Sequence, residues 1–460
     1  MTEAIASEAE LPFYLRGVHA PVPDEIEAFD LPVEGAIPPE IAGIYLRNGP
    51  NPLQGDPGHW FVGDGMLHAV EIRGGGVRSF RNRMIQTNKL RGLARYVDRE
   101  GHVDFTASPA NTHVVAHAGR LLALAENGLP WQVDRRLETI GLHDFGGRLE
   151  GPMTAHPKIC PETGELHFFG YHFAPPYLVY HRVDAAGQLV LSQPIEIPRP
   201  VMMHDFAITR DFVLFFDLPL VFSFEAAARG GMPYAFDPKA GARIGILRRD
   251  APTASVRWLD VEPCYFFHPM NASNAGDAIR VDVARYPSLW SETSGRFDSA
   301  YLHRYEIDLS KGSVRETALD DLAIEFPRVR EDRTGRAWRF GYAASTRADG
   351  TVVGSGLVRY DLETGKRDVF DGRGTCLPSE AVFVPASNGS AAAFPPDRAD
   401  PSEGDGWLLA FLHDRACGPS EFAIFDATRI ASGPIARVKL PQRIPLGFHG
   451  SFVGDGEIGG

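Results

Sequence analysis

The chain has 460 residues, of which 44% are hydrophobic and 23% are charged, an ordinary balance for a globular protein. This length accommodates two or three ordinary domains or one large all-β unit. The formal net charge of −13 argues against a nucleic-acid partner, because nucleic-acid-binding surfaces are basic. The four cysteines are scattered, without a CxxC pair, which favours free thiols over disulfides.

The first fifteen residues, MTEAIASEAELPFYL, contain no basic stretch followed by an apolar core. They therefore do not fit a secretory signal peptide or a transit peptide. No run in the chain approaches the ~18 uninterrupted apolar residues that a membrane-spanning helix requires. We expect a cytoplasmic protein.

Short apolar runs separated by turn signals recur along the whole chain. In chain order they include HAVEI, RLLAL, ELHFFGY, QLVLS, DFVLFF, LVRYDL, EAVFVP and WLLAFLHD. Such a series is typical of an all-β barrel, sandwich or propeller. No clean propeller repeat is present, so a propeller would have to be a degenerate one. No linker stands out, and we predict one domain over residues 1–460.

Four histidines lie in motifs that flank the predicted strands: His156 in TAHPK, His204 in MMHDFAI, His268 in FFHPMNA and His449 in GFHGSFV. Their successive separations of 48, 64 and 181 residues exclude a local zinc-finger knot. Each has small, apolar or aromatic neighbours, and burying an imidazole there costs free energy unless a partner is present. Four imidazoles brought together would suit Fe, Zn, Cu or Ni.

Most of the sixteen histidines are expected on the surface or as satisfied core residues. His68 in GMLHAVEI and His113 in ANTHVV have surroundings similar to those of the four motifs. Composition therefore leaves six candidate ligands and does not choose among them.

Longer motifs make the choice. YLRNGPNP (45–52), HWFVGDGMLHAV (59–70), NTHVVAHAGRLLALAENGLP (111–130), TAHPKICPETGELHFFGY (154–171), EFPRV (325–329) and SEAVFVP (379–385) are among them. Together with the four histidine motifs they resemble the carotenoid cleavage oxygenase family, in the family's order and over nearly the whole chain. The resemblance implies a seven-bladed β-propeller with a cap of loops and short helices over the metal face.

The resemblance also assigns roles to residues. It implies that His156, His204, His268 and His449 bind Fe(II), and that His68 and His113 are scaffold positions. It implies three carboxylates that accept hydrogen bonds from ligand imidazoles and so fix their tautomer. These carboxylates are Glu126, Glu325 and Glu380. Iron is favoured over zinc because zinc has no redox chemistry.

The implied activity is that of an Fe(II)-dependent dioxygenase, which cleaves a C=C double bond of a carotenoid or apocarotenoid with O2 to give two carbonyl products. The absence of a GxSxG motif, a P-loop and a dinucleotide fingerprint is consistent with chemistry supplied by a metal. Two alternatives stay open: isomerisation at the same iron, and a non-catalytic propeller that binds a partner. The second gives no reason for the full set of histidines and glutamates.

A further alternative concerns the substrate. One branch of the family cleaves hydroxylated stilbenes or phenylpropenoids and engages the substrate hydroxyl with a Lys and a Tyr. In this chain those positions fall at Ala125 and Leu90, which lack both polar groups and so favour a carotenoid. Lys89 and Tyr96 lie close by in sequence, so a small shift in alignment would weaken this inference.

The apolar run VLFFDLPLVFSF (213–224) follows the second histidine motif. In the family this region presents an apolar patch to membranes, which implies a peripheral membrane contact for collecting a lipophilic substrate. A buried strand followed by a turn explains the run equally well.

Overall fold

The computed structural model describes residues 11–98, 100–228, 232–289, 298–346, 354–372, 374–386, 398–399 and 401–458. Within these ranges the chain is almost entirely β structure, with 32 strands and one short α-helix, α1 (Phe224–Ala228). Single 3-10 turns occupy Phe13–Leu15, Gly17–His19, Trp60–Val62, Pro238–Ala240, Thr253–Ser255, Glu331–Arg333, Pro401–Gly404 and Ile430–Ser432. The all-β class predicted from the short apolar runs is confirmed.

The strands are short and follow one another closely. The first eleven are β1 (Glu27–Leu31), β2 (Val33–Gly35), β3 (Gly43–Pro50), β4 (Gly65–Arg73), β5 (Gly76–Met84), β6 (His113–His117), β7 (Arg120–Leu124), β8 (Trp131–Val133), β9 (Thr139–Leu142), β10 (Lys158–Ile159) and β11 (Leu166–Tyr171). The next eleven are β12 (Leu178–Val183), β13 (Leu189–Pro194), β14 (Ala207–Ile208), β15 (Phe212–Asp217), β16 (Leu220–Phe222), β17 (Tyr234–Phe236), β18 (Ala242–Arg248), β19 (Arg257–Val261), β20 (Pro269–Ala275), β21 (Ala278–Arg285) and β22 (Tyr301–Asp308). The last ten are β23 (Ser313–Arg328), β24 (Phe340–Ser345), β25 (Gly356–Asp361), β26 (Lys366–Asp371), β27 (Cys376–Pro378), β28 (Val382–Pro385), β29 (Gly406–Asp414), β30 (Glu421–Asp426), β31 (Pro434–Lys439) and β32 (Gly450–Gly454).

Two-residue turns connect several of these strands. Gly74 and Gly75 join β4 to β5, and Ala118 and Gly119 join β6 to β7, all four with positive φ. Positive φ at both central residues twists a hairpin turn in the same sense as its strands. The sequence dictates these hairpins locally, because glycine adopts this conformation at no steric cost.

The strands form antiparallel arrays in chain order. Four arrays of at least four strands are β6–β9, β10–β13, β14-β15-β18-β19 and β20–β23. The long strand β23 begins a fifth array, β23–β26, and β27 to β31 form a sixth, to which β2 adds at one edge. The seventh combines β1, β5, β4 and β3 with β32. In the described residues only the hairpin β16-β17 lies outside these seven arrays.

The two ends of the chain meet within one array. Strand β32 pairs with β3, with Gly454 opposite Gly43 and Gly450 opposite Arg47. Strand β2 likewise pairs with β31. These pairings leave neither β3 nor β31 as an open sheet edge, which is how closed β architectures avoid edge-to-edge association.

The apolar run 213–224 is mostly interior. Strand β15 lies between β14 and β18, and its consecutive residues from Val213 to Asp217 are all buried, so both of its faces are covered. The buried members of the run are Val213, Leu214, Phe215, Phe216, Leu218 and Leu220. The expected membrane contact is therefore wrong for residues 213–220, and only Phe224 is strongly exposed, at 67%. No helix in the described part of the chain has the length and apolar character needed to cross a bilayer.

Candidate metal centre

The four histidines of the sequence motifs occupy equivalent places in four different arrays. His156, His204, His268 and His449 each stand one to three residues before a strand, namely β10, β14, β20 and β32. Each of these strands is the edge strand of its array. The wide spacing along the chain follows from this arrangement, because each array contributes one residue from the start of one edge strand.

The four imidazoles converge. One ring nitrogen from each lies within 4.8 Å of the corresponding nitrogens of the other three. The Nε2 atoms of His204 and His268 are 3.2 Å apart. Two nitrogens bound to one metal at about 2.1 Å and at right angles to each other stand about 3 Å apart. The geometry therefore fits a single metal ion held between the rings.

The protonation state of the cluster also fits a metal. Burial lowers the pKa of His156, His204 and His449 well below its usual value, so these rings are neutral near pH 7. The Nε2 atom of His156 is buried and, among the described residues, has no hydrogen-bond partner. An unpaired buried ring nitrogen costs free energy that a metal bond would recover. A set of neutral imidazoles suits a transition metal and does not suit Mg²⁺ or Ca²⁺.

Three of the four rings have a glutamate on Nδ1. Glu325 Oε2 lies 2.6 Å from Nδ1 of His268, and Glu380 Oε1 lies 3.0 Å from Nδ1 of His449. Glu126 Oε1 contacts Nδ1 of His204. Each carboxylate accepts a hydrogen bond from Nδ1–H, which leaves the lone pair of the imidazole on Nε2. The structure thus brings together all seven residues that the resemblance assigned to the site.

His156 differs from the other three. The closest carboxylate to its Nδ1 atom is that of Asp205, at 3.9 Å, which is too long for a direct hydrogen bond. Asp205 forms an ion pair with Lys158 instead, at 2.8 Å. This ion pair could not be predicted from the sequence, where the only indication is that Lys158 and Asp205 each lie in a histidine motif.

The two other candidate histidines are not part of the cluster. His113 packs beside it, with its ring centroid 5.4 Å from that of His449. Its Nδ1 lies 3.0 Å from the carbonyl oxygen of Ala155 and its Nε2 lies 3.1 Å from Ser451 Oγ, so neither nitrogen is free for a metal. His68 lies within β4, away from the group. Both are scaffold residues.

A bulge in β23 shapes one side of the centre. The register with β24 shifts between Glu325 and Arg328, and Phe326 has a positive φ of 54°. The Phe326 ring lies over that of His268, with centroids 5.3 Å apart. Beyond the bulge, Arg328 Nη1 donates to Glu380 Oε2 at 3.1 Å. Bulges commonly redirect side chains next to active sites, and this one directs two charged residues toward two different histidines.

An apolar cavity of about 280 Å³ opens onto His204, His268 and His449. Its wall is largely aromatic and includes Trp60, Phe61, Phe267, Phe326 and Phe448. Four of these five residues lie in loops or short turns outside the strands, which agrees with the predicted cap over the metal face. A concave apolar space with a few polar groups is the usual form of a small-molecule site.

Two polar residues also line this cavity. Lys89 and Tyr96 are both part of its wall, together with Ala125, whereas Leu90 packs into a separate core cluster. The Lys89 ammonium lies 2.6 Å from Asp64 Oδ1. The inference drawn from Ala125 and Leu90 is therefore weakened, because the neighbouring Lys89 and Tyr96 reach the cavity.

A second, more polar cavity of about 590 Å³ reaches His156, His268 and His449. Its lining includes Lys158, Asp205, Arg328 and Glu331 and shares only His268 and His449 with the apolar cavity. The cluster is thus approached by two separate spaces, of which the second carries more charged side chains.

Comparison with known proteins identifies the kind of centre. A family model described as retinal pigment epithelial membrane protein matches residues 19–454. The carotenoid cleavage oxygenase of Mycobacterium tuberculosis is 36% identical over 98% of this chain and 99% of its own length. Carotenoid 9,10(9',10')-cleavage dioxygenase 1 of Arabidopsis thaliana is 34% identical over 98% of this chain and 92% of its own. The chain belongs to the carotenoid cleavage oxygenase family. It is a non-haem iron dioxygenase, with a four-histidine site of the type that holds Fe(II) in this family.

Solved structures of the family share the fold. Lignostilbene dioxygenase of Pseudomonas brassicacearum superposes with a TM-score of 0.85 at 29% identity, covering 97% of this chain and 100% of that one. A variant of the Synechocystis apocarotenoid oxygenase gives a TM-score of 0.82 at 28% identity, covering 94% and 97%. This match implies the seven-bladed propeller expected from the sequence, in agreement with the seven arrays.

Proposed function

We propose that this dioxygenase cleaves a C=C double bond of a carotenoid or apocarotenoid, lying in the apolar cavity, with O2 to give two carbonyl products. His156, His204, His268 and His449 would bind the Fe(II) through Nε2. The observation that carries the proposal is the apolar, aromatic-walled cavity that opens directly onto three of these four histidines.

The protein's own part in this reaction is positioning. The imidazoles present Nε2 lone pairs. Glu126, Glu325 and Glu380 accept hydrogen bonds from Nδ1–H, and these bonds hold the rings in this tautomer. Fe(II), when bound, supplies the redox chemistry that activates dioxygen. The aromatic wall aligns an extended alkene beside the histidines and keeps water out. No side chain has to act as a general acid or base.

The substrate class rests on two kinds of support. Relatives at 34–36% identity are carotenoid-cleaving enzymes, which supports the carotenoid. A hydroxylated stilbene or phenylpropenoid is the second candidate, favoured by one observation: Lys89 and Tyr96 line the cavity and offer hydrogen-bonding groups to a phenolic oxygen.

The experiment is incubation of Fe(II)-loaded protein under air with a panel of apocarotenals and a matched panel of hydroxylated stilbenes, with products identified by mass. We expect two carbonyl fragments from the apocarotenals. Cleavage of the stilbenes alone would transfer the proposal to the second candidate. An isomer of unchanged mass, or no oxygen uptake with any alkene, would contradict cleavage altogether.

Lys89→Met and Tyr96→Phe separate the two candidates further. Each replacement keeps a side chain of similar size in the cavity wall and removes the ammonium of Lys89 or the hydroxyl of Tyr96. A phenolic substrate would lose about tenfold or more in kcat/KM, because its hydroxyl would lose its partners. The kcat/KM for an apocarotenoid should change little, because its hydrocarbon chain forms no hydrogen bond with these groups.

A further inference from the structure

The second oxygen of each glutamate has its own partner. Glu325 Oε1 accepts a hydrogen bond from the Tyr286 hydroxyl at 2.7 Å. Glu126 Oε2 accepts one from the Tyr171 hydroxyl. Glu380 is different, because its Oε2 accepts from the Gly450 amide at 2.8 Å and from Arg328. Two of the three carboxylates are thus held between a histidine and a buried phenol.

We propose that Tyr171 and Tyr286 are positioning residues of the iron site, each acting through its glutamate to hold one ligand imidazole. The proposal rests on the ligand roles given above for His204 and His268. It adds an outer layer to the site, which the sequence motifs did not indicate.

The phenols act as fixed donors. Tyr171 and Tyr286 are 2% and 3% exposed, and burial raises the pKa of both hydroxyls well above its usual value. Each phenol therefore stays protonated, and its hydroxyl donates a hydrogen bond to the carboxylate. A carboxylate that already accepts from a phenol and from an imidazole remains an acceptor on both oxygens, so it cannot turn a protonated oxygen toward Nδ1.

Rotation is restricted by the same contacts. Glu325 also accepts from the Phe326 amide at 2.5 Å, so three donors from three directions fix its carboxylate plane. The plane of the carboxylate sets the direction in which the imidazole points Nε2. Loss of the phenol hydroxyl would allow the carboxylate and its ring to turn together.

The ring and the hydroxyl of Tyr286 have different contacts, so their roles can be tested separately. Its ring lines the apolar cavity and packs edge-on against Phe267, with centroids 5.8 Å apart. Tyr286→Phe keeps this ring and removes only the hydroxyl. Tyr171 does not line the cavity, so Tyr171→Phe tests the other arm without touching the substrate space.

The measurement is the equilibrium affinity for Fe(II) in anaerobic titrations, together with the visible absorption spectrum of the Co(II)-loaded protein. Removing a group that contacts a ligand directly costs about 10–100-fold in metal affinity. The tyrosines are one hydrogen bond further from the metal than the glutamates. We therefore expect Tyr286→Phe and Tyr171→Phe each to lower the Fe(II) affinity by about threefold to tenfold and to shift the Co(II) spectrum.

Tyr180→Phe is the matched control. Tyr180 is equally buried, at 1%, and its hydroxyl bonds to His167 Nδ1 at 2.6 Å, away from the cluster. It should lower the unfolding temperature of the metal-free protein as the test variants do, without changing Fe(II) affinity or the Co(II) spectrum. Equal effects of all three replacements on affinity would reduce the tyrosines to ordinary core residues and overturn the proposal.

The double variant with Glu325→Gln decides whether Tyr286 acts through Glu325. In that background Tyr286→Phe should cost little further affinity, because residues that act as one unit are non-additive. Additive losses, or wild-type affinity in both single Tyr variants, would refute the positioning role. Failure of the ligand assignment looks different, since His268→Ala would then retain stoichiometric iron.

Discussion

Charge at the centre is set by a few individual groups. Glu126, Glu325 and Glu380 each contact a ligand imidazole and bring negative charge to the site. Arg328 brings one positive charge, but it is shared between Glu380 and Glu331. Asp205 and Lys158 cancel each other as an ion pair. The hydrogen-bonded carboxylates therefore leave an excess of negative charge, which favours a divalent cation such as Fe(II) over a monovalent ion.

The ligand set can be tested at single residues. His268→Ala should abolish iron retention and alkene cleavage together, because it removes a donor and leaves Glu325 without its histidine. Iron content after desalting, measured by a colorimetric chelator, reports the first effect. His181→Ala is the control, since His181 is as buried but bonds to Ser192 far along another strand pair. Full iron content in His268→Ala would show that the ligand assignment is wrong.

Among the elements, β23 is the most specialised. It serves two arrays and carries the bulge that places Glu325 and Arg328 on two different histidine arms. Within the bulge, Phe326 has a left-handed backbone conformation, which costs a non-glycine residue about 1–2 kcal/mol. Strain of this kind persists where the surrounding contacts hold it, and here the ring is held between His268 and His449.

Two replacements separate the backbone strain of Phe326 from its ring packing. Phe326→Ala and Phe326→Gly remove the same ring, but only glycine relieves the positive φ. We expect Phe326→Gly to be about 1 kcal/mol more stable than Phe326→Ala in urea unfolding. In a regular strand the order would be the reverse, so a more stable alanine variant would contradict the strained bulge.

At the scale of the whole molecule, buried histidines link stability to pH. Burial lowers the pKa of several of them far below the ordinary 6.5: to about 4 for His19, His59, His113 and His181, and to about 3 for His68 and His413. The unfolded chain takes up protons on these rings as the pH falls below 6.5, whereas the folded protein does so only near pH 4, or near pH 3 for His68 and His413. Their contribution to stability is therefore fully present above pH 6.5 and is lost between pH 6.5 and about 3.

Unfolding should thus become easier at mildly acidic pH. Each histidine that stays neutral in the folded state lowers the free energy of unfolding by about 1.4 kcal/mol per pH unit over that window. Urea midpoints of the metal-free protein at pH 7.5, 6.5 and 5.5 measure the effect, and His181→Gln should reduce the slope. A midpoint that does not change over this range would mean that the rings already carry protons in the folded state.

Sequence predicted the fold class, because strand periodicity is a local signal. The seven residues that the resemblance assigned to the site lie together in the structure. The sequence could not predict Tyr171 and Tyr286, because their glutamates are 45 and 39 residues away and come close only through tertiary packing. Phe326 gave no sign of a positive φ, since aromatic residues rarely adopt one. The run 213–224 was ambiguous for a similar reason: a continuous apolar stretch describes a strand covered on both faces as well as a surface patch.

The pairing of β32 with β3 has a consequence for biosynthesis. His449 and β32 leave the ribosome 293 residues after His156, a delay of about 15–60 s at ordinary elongation rates. Until then β3 keeps an unpaired edge and the histidine cluster lacks its last member. The segment that contains His449 and β32 thus completes both the sheet and the cluster. A stalled or shortened nascent chain would expose an aggregation-prone edge and could not retain iron in the four-histidine site.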